Sequence, residues 1–145
     1  MDQGRLLLLV AVPPIAGALF WLGALVASAV SAHPIWPTQA ANLAEAVALR
    51  DAAAVARYVE RGADVNASAE VRARLVLDDA AMLTPIEAAA GARDEGLAQL
   101  LFDLGAVPDP VVWNRAFCIS DADRVRAILR MYRPDGAVEE CGDQP

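Results

Sequence analysis

Few residues in this chain could do acid–base or covalent chemistry. His33 is the single histidine, so a histidine-rich metal site cannot form, and any triad would have to take His33 itself as its base. It lies in a proline-rich stretch and reads as incidental. Asp78-Asp79 and Glu139-Glu140 are paired carboxylates, but adjacent acids of this kind read as solvated surface rather than a poised dyad. No glycine-rich phosphate loop follows a strand pattern. Cys118 and Cys141 remain. In an oxidising compartment they could pair and pin the C-terminal tail, contributing about 3 kcal/mol in the chain-entropy account. The alternative is a buried free Cys118 with Cys141 in an unordered tail. The sequence therefore predicts a protein that is not an enzyme and holds no metal or cofactor.

The elements that would carry these residues follow from where the apolar side chains lie. The chain has 145 residues, 57% of them hydrophobic, and a net charge of −7. All 12 basic residues are arginine. An acidic chain lacks the basic face that phosphate neutralisation requires, which argues against a nucleic-acid partner. Much of the hydrophobicity is local: Leu6 to Ala32 carries no charge and no amide side chain.

As one helix, Leu6–Ala32 would run roughly 40 Å against a hydrocarbon core of about 30 Å. Pro13 and Pro14 fit best in the first turn, where amides lack partners anyway. Ile15 to Ala32 then spans about 27 Å, enough to cross. The length favours an uncleaved transmembrane anchor. A cleaved signal peptide is the rival, because Val30-Ser31-Ala32 suits a small-x-small cleavage site. Arg5 precedes the segment and the next arginine is Arg50, so the positive-inside bias puts the C-terminal domain on the non-cytoplasmic, periplasmic side. Gly23, Ala27 and Ser31 form a small-residue stripe on which membrane helices could pack. The boundaries are a tail at 1–5, the anchor at 6–32 and a proline-rich linker at 33–41. A helical domain at 42–133 and an acidic tail at 134–145 follow.

Within 42–133 the chain repeats itself. Arg50-Asp51 through Gly62-Ala63 parallels Arg93-Asp94 through Gly105-Ala106 at an offset of 43 residues, and a weaker copy opens at Ser120-Asp121 a further 27 on. Each copy opens on an acid, which suits the positive end of a helix dipole. Apolar pairs then recur one turn apart: Ala54/Val55 with Tyr58/Val59, Leu97/Ala98 with Leu101/Phe102, Val125 with Ile128/Leu129. Gly62 and Gly105 stand at left-handed C-cap positions. A shorter helix precedes each, starting near Asn42 (with Glu45 as a capping-box partner), at Thr84-Pro85 and at Asp109-Pro110. The unit is a helix, a tight turn and a second helix.

Thr84-Pro85-Ile86-Glu87-Ala88-Ala89-Ala90 and Gly62-Ala63-Asp64-Val65-Asn66-Ala67 resemble the opening and closing motifs of the ankyrin repeat. The resemblance covers roughly 42–133 and implies an all-α fold, a short helical-hairpin solenoid of about three repeats. The chain departs from the family at Glu87, which replaces the usual His, and at Arg93-Asp94, which replaces the usual Gly-His. Hydrogen bonds that those positions supply between repeats must be absent or rebuilt.

Against a family period of about 33 residues, the first spacing is long and the second short. The extra residues fall in an insertion at 68–83. There Val71, Ala73, Leu75 and Leu77 alternate with Arg72 and Arg74, as in an extended hairpin arm or a short amphipathic turn. It either folds over the repeats or projects as a finger toward a partner. The resemblance implies non-catalytic protein–protein recognition through hairpin tips and the inner-helix face, with Arg72, Arg74, Asp78, Glu87 and Arg93 as contact residues. The acidic balance suits a basic or mixed partner surface. The alternatives are a structural subunit assembled through its transmembrane stripe, or a secreted binder freed by cleavage.

Overall fold

A computed structural model describes residues 39–142 of the chain. The expected anchor at 6–32 lies outside the described residues. Among those described, no helix is long and apolar enough to cross a membrane.

Six helices and one two-stranded sheet make up the described region: α1 Leu43–Ala48, α2 Ala52–Glu60, β1 Ala69–Val71, β2 Ala81–Leu83, α3 Pro85–Ala92, α4 Glu95–Asp103, α5 Pro110–Ile119 and α6 Asp123–Met131. Local chemistry sets most of the starts. The side chains of Asn42, Asp51 and Asp94 accept from the amides of Glu45, Ala54 and Leu97 at 2.8–2.9 Å. Asp109 accepts from two amides, those of Val111 and Val112. Thr84 and Glu87 form a full capping box, with Pro85 in the first turn. Each such cap supplies an acceptor to amides that have no partner within the helix.

α6 begins differently from the sequence expectation. Its N-cap is Ala122, with no side-chain cap, rather than Asp121. The carboxylate of Asp121 is turned instead to Arg93.

Glycine ends the outer helices, as expected: Gly62 and Gly105 have φ of 86° and 95°. Arg50 and Arg93, which follow α1 and α3, adopt the same left-handed conformation at 58° and 59°. That conformation disfavours a residue with a Cβ. Both side chains reach the next unit along the chain, Arg50 to the carbonyl of Ala92 and Arg93 to Asp121.

The helices pair as α1/α2, α3/α4 and α5/α6, and α1, α3 and α5 stack in a row. Every residue of α1 is buried, and so is all of α3 except Gly91. Alanine makes this possible: Ala44, Ala46, Ala88, Ala89, Ala90 and Ala116 are wholly buried and let the backbones approach closely. Trp113 fills the end of the row; its indole N–H donates to the Leu129 carbonyl at 2.7 Å, and its ring stacks on Phe117. On the outer layer α4 packs on α6, with Phe102 stacked on Tyr132 at 4.0 Å.

The all-α expectation needs a correction. The insertion contains an antiparallel ladder, with Ala69 opposite Leu83, Glu70 opposite Met82 and Val71 opposite Ala81. Val71 and Leu83 point into the core, while Glu70 and Met82 face solvent. The fold is mostly helical with this one hairpin.

Because the inner row depends on small side chains, Ala89→Leu should lower the unfolding free energy by about 1–3 kcal/mol through overpacking. The same change at exposed Ala127 should stay within about 0.5 kcal/mol. Urea denaturation of the two variants checks this.

Candidate interaction surface

Two glutamates occupy the same place in successive units. Glu45 and Glu87 each stand third in an inner helix, and each is only 1% exposed. One oxygen of each serves the local chain. Glu45 Oε2 accepts from the Ala41 amide; Glu87 Oε2 accepts from the Thr84 amide at 2.7 Å and from its hydroxyl at 2.9 Å. The other oxygen faces an arginine from farther along the chain. Glu45 Oε1 pairs with Arg72 of the insertion. Glu87 Oε1 lies 3.0 Å from Arg115 Nε of α5, an ion pair in which no N–H is aligned on the oxygen.

Burial acts to raise the pKa of Glu45. The Arg72 hydrogen bond, the Ala41 amide and the Arg72 charge outweigh it and hold the carboxyl below its usual range.

The insertion is fastened at several points. Asn42 Nδ2 donates to the Glu70 carbonyl at 2.7 Å. Arg115 reaches the Met82 carbonyl on the other strand. Beyond β1 the alternating pattern breaks at Arg74, whose φ is 67°. The chain turns there, the Arg74 amide donates to the Leu77 carbonyl, and Leu75 and Val76 both pack against the core. Val76 sits over Gly91: a Cβ built at Gly91 would lie 2.1 Å from Val76 Cγ1 and 3.1 Å from Ile119 Cγ2. The insertion therefore folds over the middle of the inner row.

These contacts redistribute the expected surface. Arg74 and Asp78 are exposed and make no side-chain polar contact among the described residues. Arg72 is half-exposed but committed to Glu45. Arg93 is 61% exposed and paired with Asp121. Glu87 is not a surface residue; the capping box and Arg115 hold it inside. The inner-helix face is likewise not open where Val76 covers α3. The tips beside the insertion are linked, since Asn66 Oδ1 accepts from the Val107 amide at 2.7 Å and its Nδ2 reaches the Gly105 carbonyl. Val107, Val111 and Met82 are exposed apolar residues.

Cys118 and Cys141 form a disulfide, with Cα atoms 5.4 Å apart. The acidic tail is consequently tied to the domain as far as Cys141. Ala137 is buried, and Glu139, expected to be solvated, is held by Arg130 and Arg133. That pairing escaped the sequence reading, although Arg126, Arg130 and Arg133 have the four- and three-residue spacing of one helix face.

No group of three or more histidine, cysteine, aspartate or glutamate side chains among the described residues could hold a metal ion. An open depression between Arg93, Glu95, Ala122 and Arg124 is crossed by two ion pairs, Arg93–Asp121 and Arg124–Glu95. No family model, curated protein or solved structure matches the chain.

Two outcomes are expected. Gly91→Ala should lift the insertion off α3 and speed tryptic cleavage after Arg72 and Arg74, and Val76→Ala in the same chain should reverse much of that gain. Glu45 has a folded pKa below its unfolded value of about 4.3, so its contribution is present above that pH and lost as pH falls through the folded pKa. The stability gap between wild type and Glu45→Gln should therefore narrow between about pH 6 and pH 3, read as denaturant midpoints.

Proposed function

We propose that this chain is a short ankyrin-like recognition module, non-catalytic and tethered to a membrane by Leu6–Ala32. It binds a protein partner through the solvent side of its insertion and the adjoining tips. Three observations support the ankyrin-like reading. Thr84-Pro85 opens α3 with a capping box. Three helix pairs present their inner members in one row. Arg93 holds a left-handed turn where the family carries glycine.

The observation that carries the functional reading is the insertion itself. Asn42, Arg72 and Arg115 fix it to the stack, yet Arg74 and Asp78 are left in water with no polar partner in the described region. A segment held this firmly loses little freedom on binding, so its free charges can be spent on a partner. The expected contact set is Arg74, Asp78, Met82 and Val107, with Arg72 behind them. Glu87 has no place in it. One residue of each sign at the tip suits a mixed or basic partner patch, in keeping with the net charge of −7. The apolar segment and its charge bias favour the non-cytoplasmic, periplasmic side for the module.

Photo-crosslinkers placed at 74 and 78 should capture one defined protein in membranes from the native cell, whereas one at Glu60, on an outer helix, should not. Combining Arg74→Glu with Asp78→Arg should cut that capture about tenfold or more, the scale of a contact charge pair. Equal yields at all three positions, or capture insensitive to the charge reversal, would remove the insertion from the binding surface.

A further inference from the structure

The side of α6 that meets α5, together with the turn after α6, carries a second arrangement, independent of the insertion. Arg126, Arg130 and Arg133 converge there. Three like charges brought this close repel one another. Here aromatic rings hold them in place. The guanidinium groups of Arg126 and Arg130 lie 5.2 and 5.1 Å from the centre of the Phe117 ring, and that of Arg133 lies 5.6 Å from Trp113. Stacking on rings engages the guanidinium faces and leaves the N–H edges available for acceptors.

The C-terminal tail uses those edges as a bound peptide would. Glu139 accepts a two-pronged pair from Arg130 at 3.0–3.1 Å and lies 3.6 Å from Arg133. Bidentate pairing of this kind is the strong, directional form of carboxylate recognition. The backbone is held too. Arg133 donates to the Ala137 carbonyl, and Asn114 Nδ2 donates to the carbonyls of Val138 at 2.6 Å and Glu140 at 3.2 Å. Ala137 fills a buried site, 4% exposed. A small apolar side chain, the backbone carbonyls beside it and a carboxylate two residues on are therefore recognised together. The Cys118–Cys141 bond closes the far end.

We propose that the Arg126–Arg130–Arg133 cluster, with Asn114, is a binding site for a short acidic peptide of a partner protein, and that the chain's own tail occupies it while the disulfide is intact. Opening requires a dithiol reductant. The dithiol gives two electrons and two protons, the Cys118–Cys141 sulfur–sulfur bond breaks to two thiols, and the reductant becomes a disulfide. The freed tail then competes with the partner only through its effective concentration.

The test uses the full chain and a fluorescent synthetic peptide copying residues 136–142, with serine in place of cysteine. Oxidised wild type should not bind it. The Glu139→Ala, Cys141→Ser chain should bind it saturably, by fluorescence anisotropy. Adding Arg130→Gln should weaken that binding about 10- to 100-fold, the worth of a hydrogen bond to a charged group. A peptide with glutamine at the position of Glu139 should not bind. Reduced wild type supplies a second route should the double variant fold poorly: dithiothreitol should switch binding on, and reoxidation should switch it off. The proposal is overturned if the folded double variant, judged by a cooperative urea transition followed by circular dichroism, leaves the peptide free. It is equally overturned if oxidised wild type binds as well as reduced, or if millimolar inorganic phosphate displaces the peptide as readily as unlabelled peptide does.

Discussion

A carboxylate taken out of water must find charge or hydrogen bonds, and in this domain two of them find both. Glu45 and Glu87 each divide their oxygens. One closes the first turn of its own inner helix, and the other meets an arginine from further along the chain. Helices of six and eight residues, such as α1 and α3, are too short to persist alone. Their starts therefore depend on residues that also need the neighbouring element to be present, so helix formation and stacking reinforce each other. The same logic explains why the insertion belongs to the fold. It supplies Arg72, the cation that the first buried glutamate would otherwise lack. Arg115 of α5 does the same for the second, and in both units the partner comes from the C-terminal direction.

What the sequence made legible was the chemistry that acts over a few residues. Thr84-Pro85, Asp109-Pro110 and the glycines at 62 and 105 mark ends by their own backbone and side-chain preferences, and the ends lie there. Long-range claims on a side chain were not legible. Glu87 looked like a surface residue because its cation lies on another helix. Asp121 looked like a cap because Arg93, far back in the chain, takes its carboxylate. In the insertion, alternation held through β1 but Ala73 is already exposed, Arg74 enters the left-handed region, Leu75 and Val76 then both turn inward, and Leu77 is exposed. Net composition made the tail look solvated, whereas Arg130 of α6, Arg133 just beyond it and a cysteine of α5 bind it to the domain. The identical placement of Glu45 and Glu87 in their repeats was the one available sign of the buried pairs.

Two of the three left-handed arginines, Arg50 and Arg93, express a related compromise. Glycine would adopt φ near 58° without strain, but it could not reach the next unit. Arg50 and Arg93 accept an unfavourable backbone and reach, respectively, the carbonyl of Ala92 and the carboxylate of Asp121. At these two turns conformational ease has been exchanged for coupling between units. Ser120, which follows α5 in the third unit, is instead extended and buried.

The way the hairpin is mounted also determines how it would respond to tension. One strand is fastened to the residue that caps α1 and the other to α5, while Asn66 ties its base to the neighbouring tip. A pull at its turn is thus divided between the two ends of the inner row and loads these fastenings together. A lone two-stranded ribbon would unzip rung by rung under the same force. This one is held at both sides, so part of the load passes to the helices beneath it.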